Sequence, residues 1–273
     1  MQTAKRTPKT VALAGFGAIG RRVARALRDG IEGMELVAVS AYDHTKAESH
    51  LIELGLSLPV LALADLADVA EIIVEALPAA EVPKVAYPAL RHGRTLVLLS
   101  VGTLLEHDDW VDIASTHGGQ IVVPTGALLG LDAVTAAAEG KIESVRMITR
   151  KPPRGLVGAP FLKERNIDVS EISSPMKLFE GTAREAVRGF PANVNVSVAL
   201  GLAGVGPDRT LIEIWADPAL TRNTHRIEVI ADSATLRLEI ENIPSENPKT
   251  GRITALSVIA ALRKIGAPFR VGT

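Results

Sequence analysis

The sequence predicts an α/β protein, a doubly wound parallel sheet followed by a second α/β domain whose sheet is mostly antiparallel. Three observations predict it. Over the first 126 residues, short apolar runs alternate with helical patterns, the rhythm of successive βαβ units. Those runs are rich in Val, Ile and Leu on both faces, as strands covered by helices on each side are. From Lys141 onward the strand-like runs instead alternate apolar with charged residues, as antiparallel strands with one wet face do.

Taken in order, "TVALAGFGAIGRRVARAL" passes from a strand pattern (Val11, Leu13) to a helical one (Ile19, Val23, Ala26, Leu27), with glycines at the joint. "MELVAVSAYD" follows at the distance a parallel partner requires. Strand "AEIIVEAL", helix "EVPKVAYPALRHG", strand "RTLVLLSVG", helix "DDWVDIASTHG" and strand "GQIVVPTG" extend the alternation. In the second half "KIESVRMITRKP", "RTLIEIWADP", "THRIEVIAD" and "ATLRLEIENIP" read as strands, and residues 191–204 as an apolar helix that covers them. The last helix, "TGRITALSVIAALRKIG", is apolar enough to return to the first domain. The expected boundaries are therefore 1–126, 127–250 and 251–273.

Composition narrows the function. With 273 residues, 47% of them hydrophobic, the chain can bury two cores. Its 30 Lys and Arg against 31 Asp and Glu are scattered, so the basic surface of a nucleic-acid binder is missing. The absence of cysteine removes thiolate nucleophiles and sulfur-ligated metals. The polar amino terminus lacks the pattern of a secretion signal, and no run approaches the roughly 20 apolar residues of a membrane span, so a cytoplasmic protein with no membrane partner is expected.

Gly15, Gly17 and Gly20 spell G-x-G-x-x-G directly after a strand and at the opening of a helix. The first glycine permits the sharp turn, the second lets backbone approach a pyrophosphate, and the third lets helix pack on strand. Amides at the helix start then face the phosphates. Gly15, Phe16, Gly17, Ala18, Ile19 and Gly20 are thus the expected phosphate cradle of a Rossmann-type dinucleotide-binding domain. Asp43, at the end of the second strand, stands where a carboxylate takes the ribose hydroxyls. That charge should repel the extra phosphate of NADP, although His44 and Lys46 beside it soften the discrimination; NAD is favoured and NADP left open. Ligands in such sheets lie beyond the carboxyl ends of the strands, which points to Leu77 and Pro78, to Ser100, Val101 and Gly102, and to Thr125, Gly126 and Ala127. Each group reads equally well as an ordinary capped turn.

In "NTHRIEVI", period-two alternation sends Asn223 and His225 to the same inward face as Ile227 and Val229. An inward imidazole is either a core histidine with satisfied nitrogens or a working group. Polar residues gather around it in sequence without evident structural need, in "TRKPP" (Thr149 to Pro153), "FPANVNV" (Phe190 to Val196) and "ENIPSENPKTG" (Glu241 to Gly251). Asn193 or Asn195 could cap the helix that follows, but not both.

"GFGAIGRRVA", "LLSVGTLL", "PTGALLGLDA", "TRKPP", "FPANVNVSVALGLAG", "NTHRIEV" and "ENIPSENPKTGRITALSVIAALR", in that order, resemble the L-aspartate dehydrogenase family along nearly the whole chain. The resemblance implies NAD(P)-dependent oxidation of L-aspartate to iminosuccinate, which hydrolyses to oxaloacetate and ammonia or feeds quinolinate and NAD synthesis, and it implies a homodimer. It places the active-site histidine on His225 and cofactor contacts on Ala127 and Asn195. "PTGALLG" departs from the serine and further glycine of the family's loop. A histidine titrating near 6.5 suits a base that takes a proton from the substrate amine or activates the water that attacks the imine. A dicarboxylate needs cations and donors, for which Lys151, Asn247, Lys249 and Thr250 are the candidates, with Arg150 beside them; no metal is called for.

Other readings compete. "LLSVGTLL" stands where sugar oxidoreductases commonly carry Glu-Lys-Pro, and the double-histidine segment of dihydrodipicolinate reductases is absent. Homoserine dehydrogenase, or another imine or semialdehyde reductase, and a non-catalytic NAD(H) sensor remain as alternatives.

Overall fold

The computed structural model describes residues 7–191, 194–245 and 251–272. The chain divides into two compact units, Met1–Pro124 with Ala255–Val271, and Thr125–Thr254 with Gly272–Thr273.

In the first unit β1 (Lys9–Ala14) leads through α1 (Ala18–Gly30) to β2 (Met34–Ser40). After it come α2 (His44–Glu53), α3 (Leu66–Val69), β3 (Ile72–Glu75) and α4 (Pro83–Arg91). β4 (Thr95–Leu98), α5 (Asp109–His117) and β5 (Gln120–Val122) complete the alternation. All strands are parallel, in the order β2-β1-β3-β4-β5, and the order reverses between β1 and β3, where such sheets open a ligand crevice. Val60 adds a single parallel bridge to Val39 on the outer side of β2, the rudiment of one further strand.

Period-two alternation along β1 explains the two-sided burial. Val11 and Leu13 meet Val23, Ala24 and Leu27 of α1, together with Val258 and Leu262 from the carboxyl-terminal segment. Ala12 and Ala14 face the opposite layer, built from Val85, Ala86, Ala89 and Leu90 of α4 and Trp110 of α5. A sheet buried on both faces needs apolar side chains at every position, which is why its strands read as continuous runs.

The second unit contains α6 (Leu131–Ala138), β6 (Ile142–Lys151), α7 (Pro160–Glu164), β7 (Met176–Thr182) and α8 (Ala183–Gly189). It continues with α9 (Asn195–Ala203), β8 (Thr210–Ala216), β9 (Asn223–Ala231) and β10 (Thr235–Asn242). The sheet order is β10-β9-β6-β8-β7. Three pairings are antiparallel, but β6 and β8 run parallel. A parallel pair needs a crossover, and the α7-to-α9 stretch provides it.

Two details differ from the sequence reading. Edge strand β7 was not among the expected strands. The apolar helix starts at Asn195, not at residue 191, with Val194 at its N-cap position and no side-chain cap. Pro191 disfavours helical backbone at Phe190, so α8 ends there and α9 begins anew. Thr182 opens α8 in a reciprocal capping box, its hydroxyl accepting from Glu185 N at 3.2 Å while Glu185 Oε2 accepts from Thr182 N at 2.8 Å.

The last helix, α10, spans Arg252–Gly266. Among the described residues no helix is long and apolar enough to cross a membrane.

Candidate active site

In the first unit the glycine turn is built for a ligand at one position and for packing at two. Gly15 has φ +103°, and a Cβ there would lie 2.4 Å from Ala76 O. A Cβ on Gly20 would lie 2.1 Å from Gly15 O. At Gly17 nothing lies within 4 Å, and no side chain caps α1. Uncapped amides opening onto clear space at a helix start are what a pyrophosphate requires, so this chain fits the dinucleotide its motif implies. Phe16 is buried beneath the turn, while Ala18 and Ile19 are half-buried at the first turn of α1.

Asp43 is exposed after β2, and its Oδ1 accepts from Lys46 N at 3.0 Å, capping α2. Leu77 is half-buried and Pro78 exposed after β3, whereas Ser100, Val101 and Gly102 are buried after β4. Glu75, which the sequence reading passed over, lies beneath these loops with no exposure at all. Its signal was an acid closing an otherwise apolar strand.

In the second unit the inner face of the sheet grades from apolar to polar along the strands. Val145 pairs with Val229 and Met147 with Ile227, and all four are buried. One row further Thr149 stands opposite His225, and beyond that Asn223 opposite Asn242. The polar end therefore collects the carboxyl end of β6, the amino end of β9 and the carboxyl end of β10. His225 is 2% exposed and Lys151 3% exposed. Thr149 Oγ1 lies 3.2 Å from His225 Nδ1. The imidazole is thus buried, but beside a hydroxyl and a lysine rather than in hydrocarbon.

Burial, and after it the charge of Lys151, push the His225 imidazole down to about 3. This differs from the unperturbed value near 6.5 that the sequence suggested, because sequence carries no information on solvent access. Burial likewise holds the Lys151 ammonium down to about 8. Arg150, on the opposite face of β6, reaches Asp217 at 3.3 Å and lies 5.5 Å over the Trp215 ring. It is a surface cation on the other side of the sheet from His225.

Ala127 and Asn195 belong to this second unit. Ala127 O accepts from Asn242 Nδ2 at 2.9 Å, which fixes that amide, and Asn195 is the half-buried first residue of α9. Asn193, Asn247, Lys249 and Thr250 lie outside the described residues.

The family model described as "Aspartate dehydrogenase, C-terminal" matches residues 132–265, and one described as "Homoserine dehydrogenase, NAD binding domain" matches residues 15–124. The chain is 56% identical over 264 residues to an L-aspartate dehydrogenase of Bordetella bronchiseptica, covering 96% of this chain and 97% of that one. It is 57% identical over 263 residues to an L-aspartate dehydrogenase of Bradyrhizobium diazoefficiens, covering 96% and 94%. A crystal structure of aspartate dehydrogenase from Thermotoga maritima shares the fold at a TM-score of 0.73 and 22% identity, over 97% of this chain and 99% of that one.

Proposed function

The chain belongs to the L-aspartate dehydrogenase family of NAD(P)-dependent oxidoreductases, and on that premise we propose that it oxidises L-aspartate to iminosuccinate with His225 as general base and Lys151 as a carboxylate-binding cation. One observation carries the residue assignment: the inner face of the second sheet, apolar elsewhere except for Thr210 at its far end, closes in Thr149, Lys151, His225 and Asn242, all buried. An apolar core gains nothing from burying an imidazole and an ammonium side by side. A site for a small anionic amine does.

Bound NAD supplies the hydride acceptor. The residues of the chain supply proton transfer and orientation. For His225 to act as base at Nε2, its Nδ1 must carry the proton, and Thr149 Oγ1 at 3.2 Å can accept that Nδ1–H. A substrate carboxylate beside Lys151 and His225 favours the charged form of both. The imidazole then rises from about 3 toward the range in which it can take a proton from the substrate ammonium. Once that proton has passed to solvent, the neutral ring can take a proton from the water that adds to the imine carbon and return it to the nitrogen of the resulting carbinolamine. The C–N bond then breaks as the carbinol hydroxyl gives up its proton to form the ketone, and ammonia leaves.

Asp43 is assigned to the ribose hydroxyls, and Leu77, Pro78, Ser100, Val101, Gly102, Ala127 and Asn195 to the cofactor; Asn247, Lys249 and Thr250 are assigned to the substrate. The proposal takes NAD over NADP from the charge of Asp43, carries over the cytoplasmic location expected from the sequence, and takes a homodimer and delivery of the imine to pyridine-nucleotide synthesis from the family.

The test is His225→Ala. It should fold, bind NADH with wild-type affinity and lose at least a hundredfold in aspartate turnover, the scale of a removed general base. Turnover within threefold of wild type would refute the assignment.

A further inference from the structure

The first unit buries one carboxylate that the reaction as described does not use. Glu75 closes β3 and is surrounded by donors. Its Oε1 accepts from Leu77 N at 2.6 Å and from Ser100 Oγ at 2.9 Å. Its Oε2 accepts from Leu99 N at 3.0 Å and from Ser100 N at 2.8 Å. Three of these donors are backbone amides, which cannot accept, so the arrangement suits an ionised carboxylate. Burial is the largest influence and leaves the group above the ordinary carboxylate value, against the four hydrogen bonds that lower it.

The bonds tie together two segments far apart in sequence. Leu77 belongs to the loop after β3, and Leu99 and Ser100 to the loop after β4. Leu77 O, 3.1 Å from the Ser100 hydroxyl, is the alternative acceptor for its single proton and lies in the same loop as the Leu77 amide. The glycine turn is in the same assembly. Ala76 O is the atom a Cβ on Gly15 would strike, and Ala76 N donates to Ala14 O at 2.8 Å. All three carboxyl-end segments around the switch point are thus fixed relative to one carboxyl group.

A carboxylate buried with no cationic partner among the described residues is a costly way to hold two loops together. Its persistence is explained if the charge itself is used. The oxidised nicotinamide is cationic and the reduced one is neutral, so a fixed negative charge beneath these loops discriminates between them.

We propose that Glu75 is a positioning residue of the cofactor site, whose carboxylate sets the two loops that receive the dinucleotide and whose charge favours the oxidised over the reduced cofactor. This rests on the cofactor-site reading of the first unit.

The most informative substitution is Glu75→Gln. The carboxamide keeps the shape, but its NH2 group must face a donor. It fits best in place of Oε1, donating to Ser100 Oγ and leaving the Leu77 amide without an acceptor. The dissociation constants of NAD+ and NADH are measured on the purified protein, NADH by its fluorescence and NAD+ by competition against it.

The expected result is at least a tenfold weaker NAD+, with NADH weakened at least threefold less and the aspartate KM within twofold of wild type. Unchanged constants for both forms would overturn the proposal. So would equal weakening of both, since a purely structural staple predicts that. If Glu75→Gln does not fold, Ser100→Ala carries the test, because it removes the hydroxyl and keeps the three amide bonds. There NADH should weaken two- to fivefold with the wild-type ratio of the two forms retained, and an unchanged constant overturns the proposal. Failure of the underlying site reading is a separate result, seen as absence of NADH binding by the wild-type protein.

Discussion

Acid stability should report directly on the His225 imidazole. The folded protein holds this group at about 3 against an ordinary value of 6.5. Above pH 6.5 the ring is neutral in both folded and unfolded chains and contributes no pH dependence. As the pH falls below 6.5 the unfolded chain takes up a proton that the folded one refuses, so stability is lost progressively until the folded ring itself titrates at about 3. The limiting slope is about 1.4 kcal/mol per pH unit, and between pH 7 and pH 5 the loss sums to about 2 kcal/mol. Lys151 does not blur the window, because a group lowered from 10.5 to about 8 changes stability only between those two values. The measurement is a pair of urea titrations at pH 7 and pH 5 on the wild type and on His225→Gln. Other carboxylates titrate in both proteins and cancel in the difference. The variant should lose about 2 kcal/mol less on acidification. An equal loss in both would refute the claim that the ring is buried neutral.

Burial is the main cause of the depressed His225 imidazole and the Lys151 charge adds to it, so in Lys151→Met the imidazole titration followed by NMR should move upward from about 3; no movement would remove Lys151 as a cause. Gly17→Ala meets no atom within 4 Å, so it should keep the wild-type melting temperature within about 2 °C yet weaken NADH binding tenfold or more. Wild-type NADH binding in that variant would remove Gly17 from the phosphate cradle. Asp43→Ser keeps a capping side chain on α2 while removing the charge, so the ratio of kcat/KM for NADP to that for NAD should rise at least tenfold. An unchanged ratio would tell against the ribose role.

The parallel domain was legible in the sequence because its physics is local. Apolar runs buried on both faces and a glycine turn between strand and helix are written residue by residue. His225 was legible for a similar reason, as a polar residue at an inward position of an alternating strand. What sequence could not supply was partnership across long separations. Thr149 and His225 are 76 residues apart, and nothing in either segment announces their pairing. The parallel register of β6 on β8 depends on a crossover whose edge strand, "MKLFEGT", is too short and too polar to stand out. The Thr182-to-Glu185 capping box was readable as T-x-x-E and marks the start of α8. Solvent access is also absent from sequence, which is why the imidazole's value near 6.5 gave way to one near 3.

Val258 and Leu262 fill the same core as Val11 and Leu13, although they come from opposite ends of the chain. A ribosome delivers the nucleotide-binding half well before this returning helix. The nascent domain must therefore wait, with a greasy flank bare, while the entire second unit is synthesised. Premature termination anywhere before Val258 would yield not a working nucleotide binder but a product bound for the insoluble fraction.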